Sequence, residues 1–302
     1  MKLLGLTCGR KMGNSEILVK EALMGAEEFS GVEAELIRLL DLNVKPCQGC
    51  ESCVASLHRG GSGECVIKGD DMPFFLEKFT ECDGLILGAP VYFFQPPGLI
   101  RVINDRMVGY DMKLVMEPPK KERVGGLISV GGTDFIYMGL PLMNTLLQPA
   151  QVKIVDQLQV AFAVRPGQVL LDEEAMKRAR RLGFNVAEAM GKPVSEVKFM
   201  GDEPGQCPIC HSNILVVCKK PPIRCAICGS RGVLKMMGDE ITVIFDEEDI
   251  KKPHWSSQAF SEHVKVIGKL HETAEQRKDE IQKKSEKYKS YKSYSLPHPK
   301  MD

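Results

Sequence analysis

Lys2-Leu3-Leu4-Gly5-Leu6-Thr7-Cys8-Gly9-Arg10-Lys11-Met12-Gly13-Asn14-Ser15 is the stretch that decides the fold. Residues 2 to 7 form an apolar run of strand length, a polar turn with two glycines follows, and Ile17, Leu18, Ala22 and Leu23 then recur at helical spacing. Strand, glycine-bearing turn and helix in that order gather backbone N–H groups and a helix N-terminus around a phosphate. Asn14 or Ser15 makes a good N-cap whose amide or hydroxyl can serve the helix or an anion. The turn has neither G-x-G-x-x-G nor G-K-[ST], so a mononucleotide such as FMN fits it better than NAD or ATP.

The same unit recurs along the first 190 residues. A second strand runs from Glu33 to Leu40, and a helix spans about Asp70 to Phe79. The continuous apolar run Gly84-Leu85-Ile86-Leu87-Gly88 reads as a central parallel strand, and a helix follows from about Leu99 to Met107. Strand Val124 to Val130, a helix around Met138 to Leu147, a strand around Val152 to Val164 and a helix from Asp172 to Met190 complete five β-α units. Together they predict an α/β domain with a doubly wound, five-stranded parallel sheet of flavodoxin type, strand order 2-1-3-4-5. Ligands are then expected in the crevice beyond the carboxyl ends of strands one and three. Loops beginning at Thr7, Ala89 and Ser129 meet there. Tyr92, Phe93 and Phe94 sit between Pro90 and Pro96-Pro97, a rigid loop whose three rings suit a flat heterocycle. At Gly131-Gly132 the backbone can approach a ligand closely. Lys177, Arg178, Arg180 and Arg181 follow Asp172-Glu173-Glu174 and read as a solvated helix face.

At 302 residues, with 40 basic and 40 acidic side chains, the chain has room for two domains, and its charge steers it to neither nucleic acid nor membrane. Without a signal core or an apolar run of spanning length, it is placed in the cytoplasm. Eleven cysteines are many for such a chain, and two groups of four hold most of them. In this compartment the groups read as metal ligands rather than disulfides. Cys8, Cys82 and Cys218 stand apart and read as small buried hydrophobes.

The first group is Cys47-Gln48-Gly49-Cys50-Glu51-Ser52-Cys53 with Cys65, in a loop from 43 to 70 after the second strand. Three cysteines two residues apart suit an iron–sulfur cubane better than a single ion. The second group follows a glycine- and proline-bearing linker, 191–206. It comprises Cys207-Pro208-Ile209-Cys210 and, after 14 intervening residues, Cys225-Ala226-Ile227-Cys228. Two C-x-x-C knuckles at that separation predict a tetrahedral thiolate ribbon over 207–250, holding zinc or, as in rubredoxin, a single iron. Ile214 to Val217, Val233 to Met236 and Glu240 to Phe245 are its expected strands, and His211 reads as a knuckle residue rather than a ligand. Residues 251–302 read as a long helix from Gln258 to about Lys289, with Phe260, Val264, Ile267 and Leu270 on one face, and a basic tyrosine/lysine tail that frays or packs on a partner subunit.

The turn Gly9 to Ser15, Pro46 to Cys53, Cys65-Val66-Ile67-Lys68-Gly69-Asp70-Asp71-Met72 and Ala89-Pro90-Val91-Tyr92-Phe93 together resemble the NADPH-dependent FMN reductase family, and its iron–sulfur flavoprotein branch in particular. The resemblance covers about the first 190 positions. It implies that Thr7, Arg10, Asn14 and Ser15 hold the FMN phosphate, that Pro90, Val91, Tyr92, Phe93 and Phe94 line the ribityl chain and ring, and that Gly131 and Gly132 pass beside the isoalloxazine. It implies a [4Fe–4S] cluster on Cys47, Cys50, Cys53 and Cys65, although the 11 residues before Cys65 make a longer gap than the family pattern has. Ferredoxin or NAD(P)H would be the electron donor, the acceptor has no name, and a homodimer or homotetramer is expected. The sequence therefore reads as an FMN-dependent electron-transfer oxidoreductase whose crevice loops offer no acid or base apart from Asp134. Its rivals are a cluster-free NAD(P)H:FMN or quinone reductase and, from another class, a docking scaffold built on the ribbon.

Overall fold

The structure, a computed structural model, describes residues 1–289 apart from 118, 120, 203, 204, 254 and 255. Five parallel strands, β1 (Lys2–Thr7), β2 (Glu33–Arg38), β3 (Gly84–Pro90), β4 (Arg123–Val130) and β5 (Val152–Val160), form one sheet in the order β2-β1-β3-β4-β5. This is the expected topology. The buried run Gly84 to Ala89 and the wholly buried β4 sit in its middle, where both faces are covered, and so carry no polar alternation. Helices α1 (Asn14–Glu27) and α7 (Glu173–Ala189) pack together on one face. On the other face lie α3 (Met72–Glu81), α4 (Gly98–Arg106) and α6 (Gly139–Leu147), with Phe75 and Phe79 among the side chains 0% exposed there. Losing either ring would cost about 3–5 kcal/mol.

Two short helices were not legible in the sequence: α2 (Ser52–His58) inside the cysteine loop and α5 (Val108–Met116), which continues from α4 past Met107. They pack against each other. Gly109 lets them meet, since a Cβ there would lie 2.9 Å from the Cys53 Cβ.

Several expectations need correction. The stretch 191–206 is no free spacer: Met200 N donates to Val155 O at 2.7 Å, and Val197 joins the core. Arg178 does not belong to a solvated face. Its guanidinium turns inward to the fully buried Asp156 and also pairs with Asp202. Strand β5 ends at Val160, four residues short of Val164, where the chain turns back as Ala163 N donates to Gly131 O.

Beyond the sheet, β6 (Leu215–Val216), β7 (Ile223–Cys225), β8 (Arg231–Met237) and β9 (Glu240–Phe245) form an antiparallel ribbon in sequence order. Helix α8 (Glu247–Lys251) leads to α9 (Ser257–Gln276), which packs on α5 and breaks at Arg277 before α10 (Lys278–Lys289). The single long helix is thus two. The side chain of Phe260 and the tail from residue 290, with the tyrosines at 291 and 294, lie outside the described residues.

Candidate active site and cysteine centres

A cleft of about 230 Å³ opens at the carboxyl edge of β1, β3 and β4, lined by Gly9, Arg10, Asn14, Ser15, Val91 and Gly131 among others. Its floor is the turn between β1 and α1. Gly13, not Asn14 or Ser15, is the N-cap of α1 and supplies no side-chain cap. The helix's opening N–H groups therefore stay available to an anion. The Asn14 side chain is committed elsewhere: Nδ2 donates to Ala163 O and Arg165 O, both at 2.9 Å, and Oδ1 accepts from Val169 N at 3.2 Å. It ties the segment after β5 to α1, leaving only its backbone N–H for a ligand. Gly9 allows the tight approach, because a Cβ there would lie 2.6 Å from Ser15 Oγ. Thr7 Oγ1 and Ser129 Oγ, at the ends of β1 and β4, are buried without a hydrogen-bond partner. Buried hydroxyls are almost always paired, so two orphans at one sheet edge point to a polar ligand.

Tyr92 and Gln95 exchange two backbone hydrogen bonds, Tyr92 N to Gln95 O at 2.8 Å and Gln95 N to Tyr92 O at 3.1 Å. Phe93 and Phe94 are the central residues of this turn, with φ of 47° and 70°. Two adjacent non-glycine residues in the left-handed region store strain, which a fold tolerates mainly at functional sites. The turn holds Phe93 almost wholly in solvent and sets Phe94 edge-on to Phe135, ring centres 5.8 Å apart, with Tyr137 a further 6.2 Å on. Phe135, Tyr137, Ala163, Val164 and Pro166 at or near the mouth were missed in the sequence. Their common signal is position after strands four and five.

The ribbon cysteines converge. Cys207, Cys210, Cys225 and Cys228 are all buried, with sulfurs within 4.8 Å of one another. Cys207 lies 3.4 Å from Cys228, and Cys210 3.4 Å from Cys225. Metal–thiolate bonds of about 2.3 Å would space sulfurs roughly 3.8 Å apart, so the set fits a tetrahedral ion. Hydrogen bonds from Cys207, Cys210 and Cys228 pull the Cys225 thiol far down, while the same kind of crowding pushes Cys210 up. His211, partly buried, stacks on Phe199, ring centres 3.9 Å apart. Among the described residues the group of four contains no histidine, as expected.

The loop cysteines are more open. Cys47 and Cys50 are exposed, and Cys53 and Cys65 partly buried. Burial pushes the Cys53 thiol up, and the nearby Cys65 and Cys47 add to the rise. Cys50 faces Ser52, whose side chain and backbone lower its pKa. Among the described residues these four do not gather with ligand atoms within 4.8 Å of one another, as the ribbon cysteines do. A cubane holds its ligands farther apart than a single ion does, and four free thiols in one loop fit that group by their chemistry. Of the lone cysteines, Cys8 and Cys82 are buried, and burial raises their thiols to about 12 and about 11. Cys218 is exposed on the ribbon, contrary to expectation.

A doubly wound sheet with a glycine-bearing turn and an aromatic loop bordering the cleft at its carboxyl edge has the architecture of a flavin-dependent oxidoreductase. Residues 1–162 match the NADPH-dependent FMN reductase profile, and the chain belongs to that family, in its iron–sulfur flavoprotein branch. An iron–sulfur flavoprotein of Methanocaldococcus jannaschii is 30% identical over 204 residues, 63% of this chain and 97% of that one. A flavone synthase of Aspergillus candidus is 31% identical over 268 residues, 81% of each chain. Among solved structures, a flavone reductase superposes with a TM-score of 0.80 at 24% identity, covering 99% of this chain and 100% of its own. The fold likeness thus extends through the ribbon.

Proposed function

We propose that this FMN-dependent oxidoreductase passes electrons from NAD(P)H or a ferredoxin to a flat conjugated acceptor at the aromatic mouth, with a [4Fe–4S] cluster on Cys47, Cys50, Cys53 and Cys65 as its one-electron partner. The aromatic row Phe94, Phe135 and Tyr137, joined to the cleft lining through the turn that Tyr92 opens, carries the reading. Exposed rings beside a flavin crevice offer faces and edges to a planar molecule. The flavone synthase that matches four-fifths of the chain lends support to a flavonoid-like molecule at that mouth.

Thr7, Arg10, Ser15 and the first N–H groups of α1 would hold the FMN phosphate. Pro90 to Phe94 would line the ribityl chain and ring, and Gly131 and Gly132 would give the ring backbone clearance. Bound FMN supplies hydride or single-electron transfer. The chain's own residues orient the acceptor and shield it from water. The ribbon would carry zinc as a structural ion. A homodimer or homotetramer would cover Phe93, which is 94% exposed in one chain.

The cluster-free NAD(P)H:FMN or quinone reductase remains a second reading, favoured by the exposure of Cys47 and Cys50. Anaerobic purification followed by FMN, iron, zinc and acid-labile sulfide analysis separates the two, with about four irons and four sulfides per chain expected. Reduction by NADPH should bleach the flavin, and a flavone or quinone should restore its colour. A flavin that NADPH and reduced ferredoxin both fail to reduce, or that no planar acceptor reoxidises faster than oxygen does, would overturn the proposal.

A further inference from the structure

Arg106, the last residue of α4, is a buried cation beside the cysteine loop, its side chain 1% exposed. Nη1 donates to Asp70 Oδ2 at 2.5 Å and to Lys45 O at 2.7 Å. Asp70, whose side chain is 0% exposed, also accepts from Lys45 N at 3.1 Å, and Lys45 Nζ reaches Lys68 O at 2.9 Å. These bonds fasten the chain just before Cys47 to the chain just after Cys65. Burying such a charge pair costs desolvation that an apolar pair would avoid, so its presence asks for a reason beyond packing. One donor is left over. Among the described residues Arg106 Nε is buried without a hydrogen-bond partner, and the Cys65 thiol lies near enough for its charge to favour the protonated guanidinium.

We propose that Arg106 is the positioning residue of the cysteine centre: it locks both ends of the 45–70 loop and sets its positive charge on the Cys65 side of that loop. The assignment rests on the iron–sulfur reading given above and deepens it. One-electron reduction adds one negative charge to the group that Cys65 ligates, and no atom enters or leaves. A fixed cation beside the loop stabilises that added charge, so Arg106 makes the centre easier to reduce. Helix α4 begins directly after the aromatic turn, so the same helix carries the flavin loop at one end and this clamp at the other, about 12 Å apart along its axis.

The test compares the full-length wild-type protein with Arg106→Gln, Arg106→Lys and the double variant Asp70→Asn/Arg106→Gln, which leaves no lone buried charge. Iron, sulfide and FMN are counted, the cluster potential is titrated anaerobically with dithionite under EPR, and amide exchange is followed over residues 65–71. Both glutamine variants should keep FMN, show a lower cluster potential and exchange those amides at least tenfold faster. Arg106→Lys should keep the potential near wild type while loosening the loop. Unchanged potential and unchanged exchange in the glutamine variants, with sulfide present, would overturn the role of Arg106 alone. A wild-type protein without acid-labile sulfide would instead defeat the iron–sulfur reading and with it the effect on potential, and exchange on that protein would still decide the clamp.

Discussion

At the scale of single residues, two buried polar groups without partners make opposite predictions. Thr7 Oγ1 has no hydrogen bond among the described residues, so Thr7→Val takes nothing from the ligand-free protein, whose melting temperature should hold or rise. If the hydroxyl serves the FMN phosphate, the same change should weaken FMN binding about tenfold, about 1.4 kcal/mol, in a fluorescence titration of the apoprotein. Asp111 on α5 is different. Burial lifts its carboxyl to about 8 against the pull of Arg123, and its Oδ1 is another unpartnered atom. The folded chain then holds a proton that the unfolded chain releases near pH 4, so stability from this group is full below that pH. It declines as pH rises toward 8. Asp111→Asn should remove that decline, gaining at least about 1 kcal/mol at pH 8 and little at pH 4 in urea melts. An equal gain at both values would mean that Asp111 is ionised in the fold.

At the scale of elements, what could be read in the sequence was what period and punctuation encode. Five parallel strands, their order and the crevice edge follow from apolar runs such as 84 to 88 and from the turn at 7 to 15. The ribbon follows from knuckle spacing. Helices α2 and α5 were illegible because what holds them is tertiary: Gly109 admits α2 against α5, and no periodicity within seven or nine residues announces that. Likewise Asn14 is a fine N-cap by type, yet its amide is drawn away to Ala163 and Arg165, residues about 150 positions distant. The turn from Tyr92 to Gln95 shows both sides. Its three rings were visible, but the left-handed pair that swings Phe94 toward Phe135 was not, since nothing local favours phenylalanine there. Removing the ring tests what the strain is for. Phe94→Ala gives up an edge-to-face pair valued at about 1 kcal/mol, so KM for a planar acceptor should rise about fivefold. FMN, whose ring Phe94 also lines in this reading, should bind more weakly, while NADPH still reduces the flavin that stays bound. A KM that does not move would leave the aromatic row as mere wall.

At the scale of the whole molecule, the ribbon is part of the flavin domain's support. Asn144 Nδ2, buried on α6, donates to the carbonyl of Cys210 at 2.7 Å, Gln157 Nε2 on β5 reaches the same oxygen at 3.4 Å, and His211 lies on Phe199. Helix α6 in turn starts at Gly139, packed against Ser129 and Val91 at the crevice edge. A metal in the four-thiolate site therefore fixes Cys210, Cys210 fixes α6, and α6 backs the residues that border the flavin. Stripping that metal with a mercurial and chelator should unfold the ribbon in a separate, lower-temperature step. FMN should then dissociate several-fold faster, measured as fluorescence release. Asn144→Ala leaves the metal in place but the Cys210 carbonyl without its best donor, a loss of about 1–3 kcal/mol. It should lower the melting temperature and speed FMN release part of the way, with zinc still at one per chain. If both treatments leave FMN release untouched, the ribbon is an independent unit that shares a chain with the flavin and nothing more, and its contact with α6 serves solubility or partners rather than the crevice.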